Sequence, residues 1–91
     1  MIIEFDPAKS ARNARTRGLP FERAAEFDWE TAIYREDTRK TYSERRIVGL
    51  GYLEKRLHIL CFIHISDGVR IISFRKANSR EIKRYEQETA N

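Results

Sequence analysis

Three consecutive segments rich in β-branched and apolar residues dominate the second half of the chain, and we predict each of them as a strand. They cover residues 45–53, 56–65 and 69–76. The middle segment is almost continuously apolar. We therefore predict that it is the central strand of a sheet, covered on both faces and antiparallel to its two neighbours. An Asp-Gly turn at residues 66–68 joins it to the last strand.

Helices are predicted near both ends of the chain. Asp6 and Pro7 begin the first helix, because aspartate accepts a free backbone N–H at the N-cap and proline has no N–H to leave unpaired at the first position. This helix runs to about Arg17 and ends at Gly18, which tolerates the left-handed conformation of a C-terminal stop. A short second helix follows over residues 21–27.

The remaining pattern completes an α+β domain. Weak strand signals cover residues 2–5 and 32–35, and the polar segment 36–44 is predicted as a loop. Asn78 and Glu81 form a capping-box-like pair that begins a last helix. The order β-α-α-β-β-β-β-α predicts a single domain spanning the whole chain. Its expected architecture is an antiparallel meander sheet with two N-terminal helices and one C-terminal helix, mostly on one face.

The register of the last hairpin decides which side chains share a sheet face. A turn at Asp67 and Gly68 pairs His64 with Ile71, whereas a longer turn pairs it with Arg70 and reverses the faces of the last strand. The sequence leaves both registers open.

Composition narrows the class of protein. The 91 residues contain 18 Lys+Arg against 14 Asp+Glu, a net charge of +4. This balance suits a polyanionic partner such as RNA, DNA, an acidic membrane surface or an acidic protein, although a basic domain without such a partner remains an alternative. The single cysteine excludes a disulfide framework and favours the cytoplasm. We expect no membrane span, because no apolar run approaches ~20 residues, and no secretory signal, because the N-terminus lacks a basic segment followed by an apolar one.

Basic residues along the long strands are the strongest candidates for chemistry. A guanidinium at a sheet position must reach solvent or a partner, and an arginine-lined sheet can hold phosphates and stabilise a phosphorane during RNA cleavage. Ordinary surface solubility is the alternative for each of them. These residues are Arg45, Arg46, Arg56, Arg70, Arg75 and Lys76. Nearby rings on which RNA bases can stack are Tyr34, Tyr42, Tyr52 and Tyr85, although Tyr85 also fits a helix core.

The two histidines cannot share a metal ion. His58 and His64 lie six residues apart on one predicted strand, so they share a face but sit roughly 20 Å apart. Both are expected near solvent at the strand ends, with Cys61 on the opposite face. His64, close to the turn, is the better functional candidate.

Two stretches of the chain carry motifs in a recognisable order. The first is Phe5-Asp6-Pro7-Ala8-Lys9 with Asn13 and Gly18, followed by Phe21-Glu22 and residues 24–27. The second is Glu44, Arg46, Leu50-Gly51 and Arg56, followed by residues 70–77, Glu81 and Tyr85. In order and spacing these motifs resemble the BrnT family of toxins from bacterial type II toxin–antitoxin systems, over nearly the whole chain.

The resemblance implies a RelE-like fold and a ribonuclease that restrains translation, without metal or organic cofactor. It also implies a cognate BrnA-like antitoxin with a ribbon-helix-helix domain, through which the pair would bind its operator DNA. The chain departs from the family at two positions. The family often has a histidine just before the glycine stop and a serine before the second helix, where this chain has Arg17 and Pro20.

Roles in RNA cleavage follow from this resemblance and from the residues available. The reaction uses the substrate 2′-OH as nucleophile and needs a base, an acid and charge stabilisation at phosphorus. We expect three phosphate clamps, Arg46, Arg56 and Arg75. Glu44 is the expected base, and His64 or Tyr85 is the candidate acid. Further RNA contacts are expected from Lys9, Arg17, Arg70 and Lys76.

A second class of function fits the same sequence. The chain has few well-tuned acid–base residues, so a non-catalytic nucleic-acid- or protein-binding module that acts by occupancy is the alternative to an enzyme.

Overall fold

The computed structural model describes residues 1–90 and confirms an α+β fold with the predicted order of elements. The strands are β1 (Ile2–Glu4), β2 (Ile33–Glu36), β3 (Ile47–Leu53), β4 (Arg56–Ile65) and β5 (Gly68–Lys76). The helices are α1 (Pro7–Arg17), a 3₁₀ helix (Phe21–Glu26) and α2 (Ser79–Thr89). The segment predicted as a second helix is thus a tighter 3₁₀ turn.

The five strands form one sheet in the order β1-β5-β4-β3-β2. The prediction for β4 is confirmed, because it lies inside the sheet between β3 and β5 and is antiparallel to both. The prediction of a purely antiparallel meander was wrong, because β1 pairs with β5 in parallel. The chain leaves β1 through α1 and the 3₁₀ helix and enters the sheet again at its opposite edge. Three antiparallel pairings then bring β5 back beside β1, where the two strands run in the same direction.

The helix ends follow the chemistry of their capping residues. An Asp6 carboxylate oxygen accepts the Ala8 N–H at 2.9 Å, and Gly18 ends α1 in the left-handed conformation with φ 64°. At α2, Asn78 and Glu81 form the complete reciprocal capping box. All three signals were visible in the sequence because each depends on local residues only.

β4 alternates between two hydrophobic cores, one on each face of the sheet. The first core, beneath the 3₁₀ helix, contains Leu19, Phe21, Ala24, Phe27, Leu53, Leu60, Phe62, Val69, Ile71 and Phe74. The second core, beneath α2, contains Leu50, Leu57, Ile59, Ala77 and Tyr85. α2 thus covers a face of its own, with Tyr85 in the second core. An interior strand that is apolar on both sides requires cover on both sides.

The β4–β5 hairpin has a register that neither sequence alternative anticipated. Ile65 pairs with Gly68 across a two-residue turn, so His64 lies opposite Val69. Further along, Cys61 pairs with Ser73 while Phe62 pairs with Ile71. One extra β5 residue therefore forms a β-bulge between these pairs. The bulge shifts the alternation of β5 by one residue and changes the face on which its last side chains lie.

Gly68 permits the close approach of β1. A Cβ atom at this position would collide with the carbonyl group of Ile2. The adjacent hydrogen bond, from the Ile2 N–H to the Asp67 carbonyl, measures 2.9 Å. Because the colliding atoms are backbone, the clash has no cheap relief.

We predict that Gly68→Ala detaches β1 and lowers the free energy of unfolding by about 1–3 kcal/mol or more. Gly18→Ala is the matched control, because its new Cβ meets no atom within 4 Å and only the left-handed backbone penalises it, by about 1 kcal/mol. Chemical denaturation of the two variants measures the difference. A Gly68 variant no less stable than the Gly18 variant would contradict the steric argument.

Candidate nucleic-acid interface

A groove opens on the second face of the sheet, beside the part that α2 covers. Its floor includes Val48, Cys61 and Ser73 from the three long strands, and its volume is about 510 Å³. Four arginines line it, each from a different element: Arg17, Arg35, Arg39 and Arg75. We call this feature the arginine groove. Three carboxylates, Glu36, Asp37 and Glu81, also line it.

α1 reaches the groove because β1 is short. β1 pairs only with the first three residues of β5, so the distal half of β5 has a free edge. Asn13 fills this edge by donating its side-chain amide to the Phe74 carbonyl at 2.9 Å and to the Leu19 carbonyl at 2.7 Å. This attachment places Arg17, one helical turn further on, at the groove wall.

Arg75 is the most firmly positioned of the four arginines. Its Nη1 and Nη2 atoms donate to the two carboxylate oxygens of Glu81, both at 2.9 Å, and Nη1 also donates to the Lys76 carbonyl at 3.1 Å. Within residues 1–90 the Nε–H finds no acceptor. The Nε–Nη2 edge therefore remains as a free two-donor fork, the arrangement that matches two phosphate oxygens.

Arg75 and Glu81 also stabilise each other's charged forms. Hydrogen bonding to Glu81 raises the pKa of Arg75, and hydrogen bonding from Arg75 lowers the pKa of Glu81. Glu81 is at the same time the capping residue of α2, accepting the Asn78 N–H at 2.9 Å. The start of the helix and the orientation of the arginine thus depend on one carboxylate.

The other groove arginines differ in how far their charge is compensated. Arg39 forms an ion pair with Asp37 at 2.8 Å, donating from Nε and Nη2 to its two carboxylate oxygens. These hydrogen bonds hold the pKa of Asp37 well below its usual range. The Arg39 side chain is nevertheless 81% exposed. Over the part of the chain that the structure describes, Arg17 and Arg35 form no ion pair. The groove thus presents cations that no protein carboxylate neutralises.

A smaller cavity of about 220 Å³ adjoins the groove and is formed by side chains within residues 36–46; we call it the loop cavity. Arg46 and Glu44, two predicted site residues, line it. The Arg46 guanidinium lies 4.2 Å from the centre of the Tyr42 ring, in a cation–π contact. The segment was predicted as a loop, and it contains no helix or strand between Asp37 and Arg46.

The Cys61 thiol on the groove floor interacts electrostatically with nearby cations. Burial raises the pKa of the Cys61 thiol, while Arg46, Arg39 and Lys9 oppose this rise electrostatically. Cys61 is three residues from both His58 and His64 along β4, so it lies on the opposite face, as predicted. It pairs with Val48 of β3 and Ser73 of β5. Lys9, a predicted RNA contact, does not line the groove.

Several predicted site residues lie outside the groove. His64 is exposed on the opposite face, with its ring 5.5 Å from that of Phe62. Tyr85 is buried in the second core and donates its hydroxyl to the Thr31 carbonyl at 3.0 Å. Arg70 pairs with Glu4 at the β1 edge.

Arg56 and Lys76 border a third cavity, which also contains His58. The Arg56 guanidinium donates to the Ala77 carbonyl at 2.9 Å. His58 was expected near solvent but is only 4% exposed, because its ring packs against the Phe74 ring on the inner side of this cavity. The structure thus brings Arg17 and Arg75 into the groove and Arg46 beside it, while Arg56 and Lys76 lie elsewhere.

Sequence reasoning missed two of the four groove arginines. Arg35 follows Ile33 at the two-residue spacing of one strand face, a signal present in the sequence but weak in so short a strand. Arg39 lies in the loop, where no periodicity indicates a direction. Among residues 1–90 no group of three or more His, Cys, Asp or Glu side chains is arranged to hold a metal ion. Within the same residues, every helix is too short or too polar to cross a membrane.

The chain is thus an α+β protein with an arginine-lined groove on an open face of its sheet. Comparison with protein families gives the assignment: the model described as "Ribonuclease toxin, BrnT, of type II toxin-antitoxin system" matches residues 5–81. The chain therefore belongs to the BrnT family of ribonuclease toxins, as its motifs predicted. A search of curated proteins finds no match to the chain.

We predict that His58 makes the fold sensitive to mild acid. Burial lowers the pKa of His58 below its usual 6.5. The unfolded chain then binds the proton more readily than the folded one, so stability is lost as pH falls through about 6.5, by at most about 1.4 kcal/mol per pH unit. His58→Asn, whose amide can still donate to the Arg56 carbonyl, should flatten this dependence.

The measurement is the free energy of unfolding by chemical denaturation between about pH 7.5 and pH 5.5, above the range in which ordinary carboxylates titrate. His64→Asn, which removes an exposed imidazole, is the matched control and should keep the wild-type slope. Equal slopes for the two variants would show that burial of His58 is not the cause.

Proposed function

We propose that the chain is an endoribonuclease that binds the backbone of single-stranded RNA in the arginine groove and cleaves it without a metal ion. The observation that carries the proposal is the free Nε–Nη2 fork of Arg75, held in place by Glu81 on the wall of a groove that contains two unpaired arginines. An arginine that served only solubility would not need the fixed orientation that Glu81 gives to the half-buried Arg75.

The chemistry proposed for the groove is charge stabilisation. When the RNA 2′-OH attacks the adjacent phosphate, negative charge grows on the phosphoryl oxygens, and a fork of parallel N–H donors stabilises that charge more than it stabilises the ground state. Arg75 supplies this fork, while Arg17 and Arg35 attract neighbouring phosphates. Because the arginines supply the positive charge, the reaction should persist in a chelator.

Proton-transfer roles are less well supported by the geometry. His64 lies on the opposite face, and the Tyr85 hydroxyl is engaged by the Thr31 carbonyl. Glu44, the expected base, lies in the loop cavity, which adjoins the groove. Two groove carboxylates, Asp37 and Glu81, are already bound to arginines. The proposal therefore places most of the rate enhancement in the arginines.

We predict that Arg75→Ala lowers the cleavage rate by on the order of 10²–10³, the usual cost of losing one such donor. Arg75→Lys should be almost as impaired, because lysine keeps the charge but not the fork. The measurement is single-turnover cleavage of a model RNA at saturating enzyme in the presence of EDTA. Circular dichroism checks that each variant is folded.

Arg12→Ala is the matched control, because Arg12 is an exposed α1 residue outside the groove and its loss should weaken binding only slightly and in a salt-dependent way. Wild-type rates for the Arg75 variants would refute the catalytic assignment and favour a module that binds RNA without cutting it. Loss of wild-type cleavage in EDTA would refute metal independence.

The partner implied by a type II system is a protein antitoxin, and we propose that it carries a ribbon-helix-helix domain and covers the groove with carboxylates. Uncompensated arginines favour an acidic segment, since complementary charge speeds association and fixes orientation. In this proposal the free toxin cleaves cytoplasmic RNA and inhibits translation, and the complex binds its operator DNA through the antitoxin. A RelE-like arrangement of the fold belongs to the same proposal.

We predict that induced expression of the chain alone arrests bacterial growth, and that co-expression of the ribbon-helix-helix protein encoded beside it restores growth. Colony counts with and without induction measure both effects. Arg75→Ala is the informative control, because loss of the arrest in this variant connects toxicity to the groove. Unimpaired growth during expression of the free wild-type chain would contradict the toxin function.

A further inference from the structure

The loop cavity adjoins the arginine groove. Glu36, Asp37 and Thr38 line both features, so the segment that follows β2 is a wall that the two share. Asp37 anchors this segment: its N–H donates to the Arg46 carbonyl at 2.8 Å, and its carboxylate accepts the Tyr42 hydroxyl at 3.1 Å. A nucleotide with its phosphate in the groove therefore has a formed cavity beside it.

One wall of the cavity is a stacked pair. The Arg46 guanidinium lies over the Tyr42 ring, and Asp37 orients that ring through its hydroxyl. The Arg46 guanidinium has no carboxylate partner within residues 1–90. A flat cation fixed on an aromatic ring is a surface on which an unstacked RNA base can lie.

The polar lining of the cavity is complementary to one base in particular. Glu44 is exposed, lines the cavity, and its carboxylate has no cation partner in the described part of the chain, so two acceptor oxygens remain available there. Only guanine offers two adjacent N–H donors, at N1 and N2, to such a carboxylate. Lys40, on the same cavity, supplies a cation of the kind that binds guanine O6 and N7.

We propose that the loop cavity is a base-specificity subsite, in which a guanine stacks on the Arg46–Tyr42 pair and its Watson–Crick edge binds Glu44. This inference rests on the proposed function, because it assumes that the adjoining groove holds the RNA backbone. The subsite makes the chain a guanine-selective nuclease rather than a general one. Tyr42 and Asp37 are then positioning residues, whereas Arg46 and Glu44 contact the base.

The test measures binding and cleavage separately. Short 2′-O-methyl RNAs, which lack the nucleophile and cannot be cut, are made identical except for one internal base, and their affinities are measured by fluorescence anisotropy. Wild type should bind the guanine version more tightly than the other three by roughly 5- to 150-fold, the discrimination expected of one good bidentate contact. The unmodified RNAs show whether cleavage follows the same preference.

Two matched pairs of variants identify the residues. Glu44→Gln should remove most of the guanine preference, while Glu30→Gln, the same change at an exposed residue outside both cavities, should retain it. Tyr42→Leu should remove the preference by removing the stack, while Tyr42→Phe, which keeps the ring, should retain most of it. Circular dichroism confirms that each variant is folded.

The outcomes separate this proposal from the proposed function. RNA cleavage without base preference, or a preference that survives in Glu44→Gln, overturns the guanine subsite and leaves the nuclease assignment intact. Guanine-selective binding without any cleavage supports the subsite and overturns the nuclease assignment.

Discussion

The architecture follows from the need to bury both faces of β4. Leu60 and Phe62 on one face and Leu57 and Ile59 on the other require cover from two directions, and the chain supplies it from its two ends. The 3₁₀ helix covers the first face, whereas α2, whose one buried residue is Tyr85, covers only part of the second. The uncovered remainder of that face is the floor of the arginine groove. The functional surface is thus the part of the sheet that a short helix leaves open.

Stability and site geometry are connected through Glu81. Its carboxylate completes the capping box of α2 and also holds the Arg75 guanidinium. The Arg75 side chain is only 37% exposed and that of Glu81 only 16%, so surrounding groups limit the movement of both at the groove wall. A capping interaction is worth about 1 kcal/mol, which is small for the fold. Its larger effect is to preorganise one arginine, because a donor already in position loses little entropy when a phosphate arrives.

Local signals in the sequence predicted well what depends on neighbouring residues. Gly18, the capping box at Asn78 and the apolar run of β4 all appear as expected. Predictions failed where the structure depends on contacts distant in sequence. β1 has three residues and no pattern that names its partner, and His58 is buried by groups that periodicity cannot place. Of the groove arginines, Arg17 and Arg75 were predicted but Arg35 and Arg39 were not. Arg35 lies in a strand too short for its alternation to stand out, and the direction of a loop side chain such as Arg39 has no signature in sequence.

The bulge in β5 has a consequence for how this strand can vary. A strand alternates its side chains with a period of two, and one additional residue inverts the phase of everything that follows. Before the inversion Ile71 lies in the first core; after it Phe74 occupies that core and Arg75 lies in the groove. A strand that alternated regularly through Ile72 would exchange these two side chains, burying a guanidinium and exposing a phenyl ring, whereas deletion of the unpaired Ile72 would leave both on their present faces. The faces of Phe74 and Arg75 are therefore set by the position of the bulge and not by the residue types of β5 alone.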